Sequence, residues 1–227
     1  MLLSQYERNY LMDKKHIFFD LDGTIINSEK AVLFCVDYAI KKMGIPDVPY
    51  DTKLKFLGPP LAQSFMKYCG QNEEEAAKAL SFFREMYSTK GVYMATLYDG
   101  IADMLKQIFD SGRKIYLATS KPEKFAKMIL SDLNIIKYFT FVAGASMDET
   151  RVTKIEVLNH ALENTGIADM SECIMVGDRC FDVMGAKDAH MDCVGALWGF
   201  GDYDELMSAG AVKICKTPSE VAKYICE

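Results

Sequence analysis

The chain has 227 residues, of which 50% are hydrophobic and 26% charged, and it carries a net charge of −6. That composition excludes a disordered chain, and a pI near 5.2 leaves no basic footprint for nucleic acid. No apolar run approaches the ~20 residues needed to span a bilayer, so a membrane is not an expected partner either.

Residues 1–12 read as an N-terminal extension without the charged, apolar and small-residue order of a secretory signal. The seven cysteines are an odd number and form no Cys-x-x-Cys, which argues against a disulfide framework or a zinc site. Reduced thiols imply a cytoplasmic setting.

From residue 13 the chain alternates short apolar runs with segments of helical period. The runs are His16–Phe19, Lys114–Ala118, Phe141–Ala143, Cys173–Val176 and Asp192–Val194, with Val212–Ile214 a weaker sixth. Runs of this length suit strands buried on both faces. The helical segments between them are Gly100–Ser111, Pro122–Leu133, Thr153–Thr165, Cys180–Ala189 and Pro218–Ile225. Strand–helix alternation of this kind predicts an α/β fold with a doubly wound, Rossmann-like parallel sheet.

One stretch breaks the alternation. Between residues 27 and 95 the pattern is helical, over Ala31–Met43, Pro59–Cys69 and Glu73–Ser88. The expected organisation is therefore a core of residues 13–26 and 96–227 with a helical cap inserted over residues 27–95. In open α/β sheets ligands bind beyond the carboxyl ends of the strands, which is where this insert leaves the core.

The chemistry-bearing residues stand at strand ends. Asp20 and Asp22 follow the first run in Phe19-Asp20-Leu21-Asp22-Gly23-Thr24, and Gly23 permits a tight turn there. Asp178 and Asp182 follow another run at i and i+4, spaced to share a helical face. Four carboxylates at one sheet edge repel one another. A hard divalent cation with oxygen ligands resolves that, and Mg²⁺ is the usual choice beside phosphate.

This ordered set resembles the haloacid dehalogenase-like superfamily. Asp20-x-Asp22-Gly23-Thr24 is similar to its first motif, and Ile115–Thr119 followed by Ser120 to its second. Lys154 is similar to its third, and Gly177-Asp178 with Asp182 to its fourth. The likeness covers residues 13–215. The insert resembles the cap of subfamily I, and Gly58-Pro59-Pro60-Leu61 the cap loop of the phosphoglycolate phosphatase-like group, whose members are also labelled 5′-nucleotidase. Unlike many relatives, this chain has no proline after the third-motif lysine, so Arg151 and Lys187 stay open as sources of that charge.

The resemblance implies a phosphatase acting on a small phosphorylated metabolite. In that mechanism Asp20 is the nucleophile and Asp22 the general acid and base. Mg²⁺ is held by Asp20, the main-chain carbonyl of Asp22 and Asp178, with Asp182 behind the metal ligands. Thr119, Ser120 and Lys154 hold the phosphoryl group. Gly58, Pro59, Gln63 and Arg84 of the cap select the substrate. A phosphosugar mutase of the same superfamily and a non-catalytic phosphate-binding module are the alternatives. Arg179 is expected in a structural ion pair, and His16, His160 and His190 in structural roles. Nothing in the pattern sets an oligomeric state.

Overall fold

The computed structural model of the chain describes residues 14–148 and 150–226. The extension expected over residues 1–12 lies outside them. The described residues form two units, one of residues 14–26 and 97–226 and one of Asn27–Thr96.

The first unit is built on a six-stranded parallel sheet in the order β5-β4-β1-β6-β7-β8. Its strands are β1 (His16–Phe19), β4 (Lys114–Pro122), β5 (Phe139–Ala145), β6 (Cys173–Gly177), β7 (Asp192–Ala196) and β8 (Lys213–Cys215). Two further short strands, β2 (Ile26–Asn27) and β3 (Thr96–Leu97), pair in a separate two-stranded sheet. The helices are α5 (Ile101–Asp110), α6 (Glu123–Asp132), α7 (Lys154–Thr165), α8 (Cys180–Asp188), α9 (Tyr203–Ala209) and α10 (Pro218–Cys226). This is the doubly wound α/β architecture that the alternating pattern predicts.

Strand alternation sends successive side chains to opposite faces. Phe18, Tyr116, Met175 and Cys193 join Val157, Leu158, Val183, Ala186 and Leu206 in one core beneath α7, α8 and α9. Phe18 stacks on Tyr116 with ring centroids 4.7 Å apart. Asp20 shares the parity of Phe18, so it emerges on the α7 side. The pairings Phe19↔Leu117 and Phe19↔Val176 bring the end of β1 level with Leu117 of β4 and the end of β6.

The ends of several elements differ from the pattern. β4 runs to Pro122, with an irregularity after Thr119↔Gly144 before pairing resumes at Pro122↔Ala145. Gly144 permits this, because a Cβ there would lie 2.7 Å from the Lys121 carbonyl oxygen and 2.6 Å from the Glu123 Cα. Ser120 and Lys121 thus sit in a bulge of β4. Helix α9 has no counterpart in the apolar periodicity. Only Leu206 of its seven residues is buried, and its start is set by Asp202, whose side chain accepts from the Glu205 N–H.

The second unit contains α1 (Glu29–Met43), α2 (Tyr50–Lys53), α3 (Leu61–Cys69) and α4 (Glu73–Thr89). Gly44 and Gly70 close α1 and α3 in the left-handed conformation. A capping box of Asn72 and Glu75 opens α4. Inside the unit Phe56 packs edge-on against Phe65 at 5.2 Å, and Lys53 ties Asp37 at 2.6 Å to Asp47 at 2.8 Å.

Candidate active site

Asp20 leaves the sheet just past the end of β1, with its N–H bonded to the Val176 carbonyl at 3.0 Å. Its carboxylate meets Lys154, the first residue of α7, where Nζ donates to Asp20 Oδ1 at 2.6 Å and to the Ala118 carbonyl at 2.7 Å. Lys154 Nζ also lies 2.8 Å from Asp182 Oδ1. One buried ammonium therefore joins the end of β1 and the Ala118 carbonyl of β4 to the start of α8. Thr153 and Glu156 fix this point through a capping box at the start of α7. The stem of Lys154 passes over Gly185, where a Cβ would stand 2.5 Å from Lys154 Cγ.

Asp178 is fully buried. It accepts from the Thr24 hydroxyl at 3.0 Å and from the Phe200 N–H at 2.8 Å, both neutral donors. Backbone closes around it: a Cβ on Gly23 would come within 2.1 Å of Asp178 Oδ2, and one on Gly199 within 2.4 Å of the same atom. Gly201 packs as closely on the Asp178 carbonyl, at 2.0 Å from where its Cβ would be. Trp198 ties the same loop down by donating from Nε1 to the Thr24 carbonyl at 2.9 Å.

Oxygens of Asp20, Asp178 and Asp182 lie within 4.8 Å of one another, and all three residues are buried. Burial pushes the Asp20 carboxyl up to about 6; the lysine beside it pulls the other way, while Asp182 and Asp22 add to the rise. Burial likewise holds Asp178 well above the usual carboxylate range, reinforced by Asp182 and Asp20. Burial alone would lower the Lys154 ammonium, but Asp182 and Asp20 outweigh it and keep it charged. Three carboxylates thus share one ammonium, which touches Asp20 and Asp182 but not Asp178. An all-oxygen, net-negative and rigidly walled cluster of this kind fits a hard divalent cation.

Asp22 has a different partner. Lys121 Nζ donates to both of its carboxylate oxygens, at 2.6 and 2.7 Å. The Lys121 side chain is only 9% exposed, and its N–H bonds the Thr119 hydroxyl oxygen at 3.2 Å. The carboxylate of Asp22 stands outside the group formed by Asp20, Asp178 and Asp182.

Comparison with known proteins gives the same pattern a family. Residues 17–196 match the haloacid dehalogenase-like hydrolases. The chain belongs to this family. A 5′-nucleotidase of Pseudomonas aeruginosa is 34% identical over 88% of this chain and 90% of its own length. The tyrosine-protein kinase PtkA of Mycobacterium tuberculosis is 36% identical over 83% of this chain, but the match spans only 64% of that protein. The crystal structure of a predicted phosphatase from Clostridium acetobutylicum superposes with a TM-score of 0.87 at 37% identity, covering 93% of this chain and 98% of that one. Further relatives carry the name phosphoglycolate phosphatase.

In this haloacid dehalogenase-like hydrolase, Asp20 and Asp178 converge from the ends of β1 and β6, and Lys154 and Asp182 from the starts of α7 and α8. Thr119 is buried at the end of the regular part of β4, whereas Ser120 beside it is exposed. Arg151 donates to the Gly144 carbonyl and pairs with Glu123, and Lys187 is exposed, so the buried ammonium beside Asp20 is that of Lys154. The Asp182 carboxylate lies within the cluster of Asp20 and Asp178 because Gly177 lets it approach, a Cβ there falling 2.3 Å from Asp182 Cγ.

Arg179 pairs with Glu205 at 2.8 Å, and the Cys180 N–H bonds the same carboxylate. His16 Nδ1 sits 2.9 Å from the Tyr116 hydroxyl, and burial lowers its pKa. All seven cysteines are free. The cap candidates lie in the helical unit. Gly58 is exposed with φ of 99°, Pro59 and Arg84 are half-buried, and Gln63 is exposed on α3. The residue that spacing did not single out is Lys121. The Ser-Lys-Pro context reads as a helix start, and only the bulge in β4 turns this lysine toward Asp22.

Proposed function

We propose that this chain is a magnesium-dependent phosphatase that hydrolyses a small-molecule phosphomonoester through an aspartyl-phosphate on Asp20. The observation that carries this reading is the burial of Asp20 between Lys154 and two further carboxylates, Asp178 and Asp182. A nucleophilic carboxylate attacking a phosphate dianion needs its own charge and that of the substrate offset. Relatives named 5′-nucleotidase and phosphoglycolate phosphatase support the same class of substrate, a nucleoside monophosphate or a short phosphorylated acid.

The residues divide the work. An oxygen of Asp20 forms a bond to phosphorus while the ester oxygen–phosphorus bond breaks, and Asp22 gives its proton to the departing oxygen. Asp22, now a carboxylate, takes a proton from water as that water's oxygen attacks phosphorus. The Asp20–phosphorus bond breaks, releasing phosphate and restoring both carboxyl groups. Lys154 holds a phosphoryl oxygen and Asp20 in one geometry, and the Thr119 hydroxyl is the second phosphate donor. Asp20, Asp178 and the Asp22 carbonyl would hold Mg²⁺, with Asp182 beside them, and the ion supplies positive charge against the nucleophile and phosphate.

No helix among the described residues is long and apolar enough to cross a membrane. With free thiols and a net charge of −6, the proposal puts the enzyme in the cytoplasm, acting on a small metabolite and not on nucleic acid. A panel of phosphorylated metabolites, including nucleoside monophosphates and phosphoglycolate, assayed with Mg²⁺ and with EDTA, tests the reading. Phosphate release should require the metal and fall to background in Asp20→Asn. Turnover undiminished by that substitution refutes Asp20 as nucleophile, and isomerisation of a hexose 1-phosphate without phosphate release would instead make the chain a mutase.

A further inference from the structure

Each carboxylate of the Asp20-x-Asp22 pair has its own lysine, from a different element: the buried Lys154 of α7 for Asp20 and the half-buried Lys121 of β4 for Asp22. The second contact is the less expected. Asp22 lies on a turn outside the sheet, with a side chain 26% exposed, and a carboxylate there has solvent and several rotamers open to it. Lys121 takes both of its oxygens, at 2.6 and 2.7 Å. The backbone of Lys121 is itself fixed, because its N–H is bonded to the Thr119 hydroxyl oxygen and the next residue, Pro122, pairs with Ala145. The β4 bulge, made possible by the missing Cβ of Gly144, turns this side chain toward Asp22.

We infer that Lys121 is a positioning residue that holds the Asp22 carboxylate for the second half of the reaction, in which that carboxylate removes a proton from the attacking water. A two-point contact to the anionic form suits this base role. It offers nothing to the earlier displacement when the leaving group departs without needing a proton. The inference rests on the phosphatase reading.

The two half-reactions separate with p-nitrophenyl phosphate, whose leaving group departs as a stable anion. In stopped flow, Lys121→Met should keep the rate of the first turnover within about threefold of the wild type while its steady-state rate falls at least about tenfold. It should gain a burst of close to one p-nitrophenolate per active site, and acid-quenched enzyme should carry a matching amount of phosphate on Asp20. Asp22→Asn is the benchmark for the same signature. Lys121→Arg, which keeps a two-pronged cation, should recover most of the steady-state rate without a burst. Lys121→Gln serves as a second uncharged variant if the methionine variant does not fold. Equal slowing of first and later turnovers, unchanged steady-state rates, or a rise in KM alone overturns the role of Lys121. If wild type shows no phosphate release, or Asp20→Asn is fully active, the phosphatase reading fails and the inference falls with it. Active wild type, inactive Asp20→Asn and no burst in either uncharged variant refutes the inference alone.

Discussion

Lys154 Nζ stands 2.6 Å from Asp20 Oδ1 although 134 residues separate the two in the chain. The contact is buried on both sides, and the same ammonium reaches Asp182 at 2.8 Å. It links the end of β1, the Ala118 carbonyl of β4 and the start of α8 electrostatically, so its loss is felt in folding as well as in catalysis.

Lys154→Met should therefore fail in two separable ways. Removing one partner of a buried ion pair leaves uncompensated charge and costs about 3–5 kcal/mol. Thermal melts in EDTA should show that loss as a lowered Tm, and Mg²⁺ should recover part of it by replacing the missing positive charge. Turnover at saturating Mg²⁺ should remain about 10²–10³-fold below wild type, the usual effect of deleting an electrostatic stabiliser of a transition state. A variant with wild-type turnover would remove Lys154 from the phosphoryl site.

The pH dependence of the metal-free protein has a defined sign. The Asp20 carboxyl is raised to about 6 from an ordinary value of 3.8, and Asp178 is raised in the same direction. Between these limits the folded chain holds protons that the unfolded chain has shed, so stability falls as pH rises. A shift of this size on a fully buried group amounts to about 3 kcal/mol for Asp20 alone, as an order of magnitude. The contribution is present below about pH 4 and lost as pH climbs through about 6. Lys154 stays charged over the whole window and does not alter the slope. Metal ions compete with those protons. Mg²⁺ should accordingly raise Tm more at pH 8 than at pH 5, and calorimetry should detect proton release on binding near pH 6. A Tm gain that does not change with pH contradicts the assignment of these carboxylates as ligands.

Much of this site is legible from spacing because strand ends are simple to recognise. Short, mostly apolar runs followed by Asp, Thr or Gly place Asp20, Asp22, Thr119 and Asp178 at one sheet edge from the sequence alone. Lys154 is harder, since an amphipathic helix with a lysine at its first position usually turns that charge to water. It is buried here because Gly185 on the neighbouring helix leaves room for its stem. Lys121 is not legible at all, because its direction depends on a bulge licensed by Gly144 on another strand. Helix α9 escapes for a related reason: with Leu206 alone buried, it has no apolar period to read.

Glycines around Asp178 should be intolerant in a way that glycines at helix ends are not. Gly23 has φ of 88° and a Cβ there would overlap Asp178 Oδ2. Gly166, which ends α7 with φ of 67°, has nothing within 4 Å of its Cβ position. Gly166→Ala meets only the left-handed backbone cost, about 1 kcal/mol, and should keep full Mg²⁺ affinity. Gly23→Ala adds an overlap with a buried carboxylate, so it should lose roughly 2–4 kcal/mol and weaken Mg²⁺ binding at least about tenfold. Equal effects of the two substitutions on metal affinity would mean that close packing of backbone on Asp178 has no part in holding the ion.

Trp198 is the single tryptophan of the chain, and its position makes it a reporter of Asp178. Its indole N–H donates to the carbonyl of Thr24, whose hydroxyl donates to Asp178 Oδ1. From the other side, the Phe200 N–H holds Asp178 Oδ2. A cation that draws on the Asp178 oxygens changes the charge facing both donors, and the change reaches the indole through one residue. Intrinsic fluorescence should therefore shift saturably as Mg²⁺ is added to EDTA-treated protein, with the same midpoint as the metal dependence of turnover. Asp178→Asn should abolish the response while preserving the Trp198 emission of the folded, metal-free state. Coincident midpoints tie the spectroscopic and catalytic ions to one site; midpoints differing by more than about tenfold mean that the ion sensed at Trp198 is not the one that supports the reaction.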